Sequence, residues 1–252
     1  MERPGLLVSV RNVDEARIAL QSGVELIDVK EPQRGALGAC DDATISEIAA
    51  VVGDQVPLSV ALGELRDFMT TQLPLRLPGI RFAKFGLAGM DDVPNWKTRL
   101  VETWAELPGH VAPVAVIYAD STQAHSPAWP EILDIARESS CGAVLIDTCL
   151  KDGRNVFEHF SKADLCGLSR HVREAGMLFV VGGSLDETTI PIVAELGVDY
   201  VAVRGAACKH SRTSEIDAGR IARIAQVLRA PRRGVRVGKS KHALTRKLPP
   251  FA

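Results

Sequence analysis

The chain has 252 residues, 46% hydrophobic and 24% charged, with a net charge of −1. That length suits one (β/α)8 barrel or two small domains, and the composition is that of a globular protein with ample core material. Seven lysines and arginines and no acid follow Pro231, so residues 1–230 carry −8, which argues against a nucleic-acid-binding body.

Short apolar runs alternate with segments of helical period along the chain. Strands are predicted at residues 6–10, 26–30, 57–62, 82–87, 112–118, 143–147, 178–181 and 200–203. Helices are predicted between and after them, at 13–21, 44–52, 67–77, 96–107, 128–139, 165–175, 187–196 and 215–228. Asn12 or Asp14 can cap the first helix and Gly23 can stop it, while Pro74 interrupts the third. Strict strand–helix alternation implies parallel strands, and eight of them predict a single-domain TIM-type α/β barrel over 1–230. A weak internal echo, with a helix-ending Gly23, Gly142 or Gly197 before a strand, agrees. An open doubly wound sheet is the competing architecture, but no GxGxxG follows the first strand.

Residues 231–252 read as a basic, disordered tail. Within it Gly234-Val-Arg-Val-Gly-Lys-Ser240 imitates a phosphate-binding P-loop, with one residue too few between the glycines and no strand–loop–helix frame. Five scattered cysteines without CxxC or Cys/His spacing suggest reduced thiols in a cytoplasmic protein without a metal site. Residues 1–5 show no signal-peptide character, and no apolar run is long enough to span a bilayer.

In a barrel of this kind the active site lies where strands end and the following loops begin. Asp28 and Lys30 share one face of the second strand, and Pro32 ends it. Glu64 follows the third strand and Lys84 lies inside the fourth. The fifth strand ends at Tyr118-Ala-Asp120 with His125 beyond, and the sixth at Asp147 with Lys151 in its loop. His125 reads as a loop histidine, and Asp120 and Asp147 can alternatively cap helices. Lysines gathered in one cavity depress one another's pKa, and an amine near neutrality attacks carbonyls to form a Schiff base, with aspartates shuttling protons. Opposite them, Gly182, Gly183 and Ser184 after the seventh strand and Arg204, Gly205 and Ala206 after the eighth form the usual barrel phosphate cradle, with Arg204 as a bidentate phosphate ligand. The expected partner is a small phosphorylated carbonyl compound. These residues do not choose among aldol cleavage, isomerisation and condensation, and they leave the oligomeric state open, a homo-oligomer included.

The run Ile27-Asp-Val-Lys-Glu-Pro-Gln-Arg-Gly-Ala-Leu-Gly-Ala39 resembles the motif of the (5-formylfuran-3-yl)methyl phosphate synthase family of methanofuran biosynthesis. So do Lys84-Phe-Gly-Leu-Ala-Gly89, Tyr118-Ala-Asp120, Leu145-Ile-Asp-Thr-Cys-Leu-Lys-Asp-Gly153, Gly182-Gly-Ser184 and Val203-Arg-Gly-Ala-Ala-Cys-Lys209, in that order. The resemblance implies a (β/α)8 lyase without metal or organic cofactor. Such an enzyme joins two molecules of glyceraldehyde 3-phosphate with loss of phosphate and water. It further implies Lys30 as the Schiff-base lysine and Lys84 as the proton acceptor, with Asp28, Asp147 and Lys151 lining the site. On this reading the Lys30 iminium passes to an enamine that attacks the second aldehyde. The chain departs from the pattern at Ser121-Thr-Gln-Ala124, a longer run before His125. A class I aldolase and a non-catalytic phosphometabolite-binding barrel are the competing functions.

Overall fold

The computed structural model describes residues 3–68, 77 and 79–230. Eight parallel strands close into a barrel in sequence order, β1 Gly5–Val10, β2 Leu26–Val29, β3 Leu58–Glu64, β4 Ile80–Gly86, β5 Ala112–Tyr118, β6 Ala143–Asp147, β7 Leu178–Val181 and β8 Tyr200–Val203. Closure is direct: β1 pairs with β2 through Val8 and Ile27, and with β8 through Leu7 and Ala202. The open doubly wound alternative is thereby excluded.

Eight α-helices lie among the described residues: α1 Val13–Gln21, α2 Asp42–Val52, α3 Trp96–Ala105, α4 Ser121–Ala124, α5 Trp129–Glu138, α6 Lys162–Glu174, α7 Ile190–Ala194 and α8 Ala218–Arg229. Between β3 and β4 the described residues show a 3-10 turn, Leu65–Asp67, and the helix predicted over 67–77 falls mostly outside them. The predicted tail at 231–252, with its P-loop-like run, also lies outside the described residues. None of the described helices is long and apolar enough to cross a membrane.

Local chemistry sets the helix ends. Asn12 caps α1 by accepting from the Glu15 N–H at 2.9 Å, and Ser161 with Asp164 forms a reciprocal capping box on α6. The seventh helix is shorter than predicted because Asp186 takes the N–H groups of Thr188 and Thr189, holding a turn ahead of Pro191. The eighth begins later because Asp217 is its cap, while Ile216 bridges back to Cys208.

Strand alternation divides the core. Val8, Ile27, Val29 and Ile146 face the helices, whereas Leu7, Leu26, Phe82, Val114, Leu145 and Val180 fill the barrel interior. Above these apolar layers, toward the C-terminal strand ends, the inward positions turn polar: Ser9, Asp28, Ser59, Lys84 and Asp147, all buried. The functional cavity opens above this boundary.

Candidate active site

Lys84 projects inward from the middle of β4, over a layer containing Leu26, Phe82, Val114 and Leu145. Its side chain is only 3% exposed, as is that of Asp28, its ion-pair partner on β2. An ammonium tolerates such burial only with its charge and hydrogen bonds met. Lys84 Nζ donates to Asp28 and to Ser59 Oγ (2.7 Å), and Ser9 Oγ donates to the other Asp28 oxygen at 3.0 Å. Four neighbouring strands therefore supply one closed polar cluster.

Lys30 stands one pleat above Asp28, just past the end of β2, where its amide still bonds Val10 O at 3.0 Å. Its ammonium lies 4.0 Å from Asp147 Oδ2. The other Asp147 oxygen is taken by Lys151 Nζ at 2.9 Å, and Lys151 also donates to Thr148 O at 2.6 Å. Burial pushes the Lys30 amine down, and Lys151 and Lys84 push the same way. Asp147 and Asp28 recover part of the loss, and the net is a pKa of about 8. Burial acts to raise Asp147, but the charges of Lys151 and Lys30 and hydrogen bonds from Lys151 and the Thr148 N–H hold it below the usual carboxylate value.

A cavity of about 720 Å³ joins these residues to the opposite wall. Lys30, Lys84, Asp28, Asp147 and Lys151 line it together with Gly182, Gly183, Ser184, Gly205 and Ala206. Gly182 N–H is committed to Ile146 O at 2.8 Å, which extends the sheet by one rung. Gly183 turns at φ 91°, and a Cβ there would press on Val156 and Thr148. Ser184 holds φ 53°, uncommon for a non-glycine residue, with its hydroxyl 3.2 Å from that of Thr148. Gly205 opens a 3-10 turn, Gly205–Ala207, beside this loop.

Two expected site residues have their polar atoms taken up within the protein. Asp120 is outside the cavity lining: its two oxygens accept from the N–H groups of Cys149 (2.7 Å) and Leu150 (2.8 Å), clamping the loop that carries Lys151. Arg204 lines the cavity, as expected, but its donors are not free for the bidentate phosphate grip predicted for it. Its guanidinium meets Glu15 through both terminal nitrogens and donates to Ser9 O (3.0 Å), Arg212 O (2.9 Å) and Ser214 O (2.8 Å). All five donors of an arginine are thereby engaged. Glu64 turns away from the cavity to accept from Tyr118 Oη (2.6 Å) and the Ala88 N–H (2.9 Å), and burial raises its carboxyl against these bonds. His125, lifted outward by α4 into the left-handed region, sits 3.6 Å from Asp91 with its side chain 75% exposed.

Ser9, Ser59 and Thr148 were not anticipated. Ser9 and Ser59 lie at inward parity on their strands, a legible signal for small polar residues beside a buried charge. Glu15, in contrast, reads as an ordinary first-turn acid of a helix.

Fold and site together define a (β/α)8-barrel protein whose C-terminal mouth combines buried amines and carboxylates with a glycine-lined wall. The sequence model of 4-HFC-P synthase matches residues 6–225, and the chain belongs to that family. It is 34% identical over 217 residues to the (5-formylfuran-3-yl)methyl phosphate synthase of Methanopyrus kandleri, covering 82% of this chain and 90% of the relative. The protein of the same name from Methanocaldococcus jannaschii is 30% identical over 211 residues, covering 81% and 90%. Among solved structures, phosphoribosyl anthranilate isomerase from Thermotoga maritima superposes with a TM-score of 0.59 at 12% identity, covering 89% of this chain and 98% of that one. Thiamine phosphate pyrophosphorylase from Pyrococcus furiosus gives 0.56 at 13% identity, covering 88% and 94%. At such identities these likenesses bear on the barrel alone.

Proposed function

We propose that this protein makes (5-formylfuran-3-yl)methyl phosphate from two molecules of glyceraldehyde 3-phosphate, through a Schiff base on Lys30, as a step of methanofuran biosynthesis. The observation that carries this reading is the buried Lys30 amine, with a pKa of about 8, facing a cavity of triose-phosphate scale in a member of the 4-HFC-P synthase family.

The product's branched carbon skeleton constrains which carbons join. Its branch carbon carries three carbon neighbours, so it derives from the carbonyl carbon of a ketone triose acting as electrophile. The enamine course expected from sequence does not give this connectivity and is replaced. The Lys84–Asp28 pair moves the C2 proton of one triose to C1, giving the ketone isomer. Lys30 attacks that ketone and water leaves, with Asp147 and Lys151 handling the proton, to give the iminium. From the second triose the same base removes the C2 proton and the C3 phosphate departs, leaving an enol. The enol's terminal carbon attacks the iminium carbon. The C1 hydroxyl of the first triose then closes on the remaining ketone, and loss of water and of the Lys30 amine yields the furan. One phosphate and two waters leave in all, which balances two trioses against the product. The loops at 182–184 and 205–206 hold the phosphate that stays.

Incubation with glyceraldehyde 3-phosphate alone is the test. A furan chromophore with one free phosphate per product is expected, and borohydride should trap a mass adduct on Lys30 that Lys30→Ala lacks. A sugar phosphate formed without free phosphate would make the protein an aldolase instead, and no adduct at all would make it a binding barrel.

A further inference from the structure

If Arg204 is committed to Glu15, the cavity needs another guanidinium for its anionic substrate, and the β8–α8 loop presents one. Arg212 lines the cavity and is half-buried. Its Nη1 donates to Pro32 O at 2.7 Å and its Nη2 to Gly35 O at 2.9 Å. An arginine carries five N–H donors, so these two bonds leave three that can serve a ligand. No carboxylate lies within ion-pair distance of it among the described residues. Its backbone is anchored from behind: the Arg212 carbonyl accepts from Arg204 Nε at 2.9 Å, and Arg204 is anchored on Glu15. The loop is thus built to hold one arginine over the mouth, tied to the segment that directly follows Lys30.

The charge pattern points the same way. Lys84 is neutralised by Asp28, and Lys30 and Lys151 share Asp147. Arg212 and Arg220 are the lining cations with no carboxylate in contact among the described residues, and of the two Arg212 is the one whose guanidinium is fixed, by its bonds to Pro32 O and Gly35 O; burial pushes its pKa down. A triose phosphate carries close to two negative charges at neutral pH. The proposed reaction seats two such groups, and the glycine loops at 182–184 and 205–206 account for one.

We infer that Arg212 binds a substrate phosphate at the mouth of the cavity and, through its bonds to Pro32 and Gly35, ties the β8–α8 loop to the loop that follows Lys30. This rests on the function proposed above for the identity of the phosphorylated compound, for the count of two phosphates and for the Lys30 adduct, whereas the calorimetric arm does not depend on it. The experiment titrates inorganic phosphate into the full-length wild type, Arg212→Gln and Arg212→Lys by calorimetry. A lost charge-assisted pair should weaken phosphate binding about tenfold or more in Arg212→Gln, whereas Arg212→Lys, which keeps the charge, should stay within about threefold. Borohydride trapping on Lys30 separates anion binding from a merely structural tie. In Arg212→Gln the adduct yield at a fixed subsaturating concentration should fall with dihydroxyacetone phosphate and hold with dihydroxyacetone. Equal loss with both compounds, unchanged phosphate affinity in Arg212→Gln, or no saturable phosphate binding by the wild type each overturns the inference. Phosphate binding does not require turnover, so an Arg212 effect in a protein that makes no furan would retain the inference and discard the reaction.

Discussion

Lys30 differs from an ordinary lysine because burial outweighs its carboxylate neighbours. With a pKa of about 8, roughly a tenth of the amine is neutral at pH 7. Schiff-base formation should therefore rise about tenfold per pH unit below pH 7 and level off above about pH 8, as read from borohydride-trapped adduct. A profile still rising steeply at pH 10 would remove the premise. The same shift bears on stability. The unfolded lysine titrates near 10.5 and the folded one near 8, so between those values the unfolded chain binds more protons and stability rises with pH. Below pH 8 the charged amine costs the fold up to about 3 kcal/mol, so Lys30→Met should stabilise the protein at pH 7 by about 1–3 kcal/mol in urea unfolding while abolishing adduct formation. Lys84 behaves oppositely. Its removal strands the Asp28 carboxylate in the barrel, and Lys84→Met should cost about 3–5 kcal/mol. Adding Asp28→Asn should recover most of that loss without restoring turnover. A Lys84→Met protein as stable as wild type would mean that the pair is not closed.

At the scale of elements, buried charges hold the loops after β6 and β8. Asp120 sits at the end of β5 but acts on the loop after β6, where Lys151 stands. Asp120→Asn replaces one acceptor by a donor and should destabilise the protein by about 1–3 kcal/mol. If it positions Lys151, two further effects follow. Turnover falls, and the midpoint of the Lys30 pH profile moves upward, because a displaced Lys151 no longer repels Lys30 and leaves Asp147 free to pair with it. Lost stability with an unmoved midpoint would assign Asp120 to loop structure alone. The Arg204–Glu15 pair does the equivalent work between the β8–α8 loop and α1, which explains why an arginine that looked like a phosphate ligand is turned inward.

For the whole molecule, the barrel closes on itself and α8 ends at Arg229. Removing residues 231–252 should leave both the unfolding temperature and furan production at full-length values, and a large drop in either would give the basic tail a role. The number, order and parallel sense of the strands were legible in the sequence because apolar periodicity is local and strict alternation admits one closed arrangement. β5 through β8 begin and end where the pattern puts them, since proline, glycine and charge punctuate both sides. The inward lysines were legible for the same reason: a charge at core parity is visible in the chain itself. Which charges neutralise one another was not. Asp28 and Lys84 lie 56 residues apart and Glu15 and Arg204 lie 189 apart, and no periodicity links such partners. The sequence alone determined the barrel and the set of strand-end groups that could react. The tertiary structure decided which of them are free to react, because a buried charge must find its counter-charge wherever barrel closure brings one within reach.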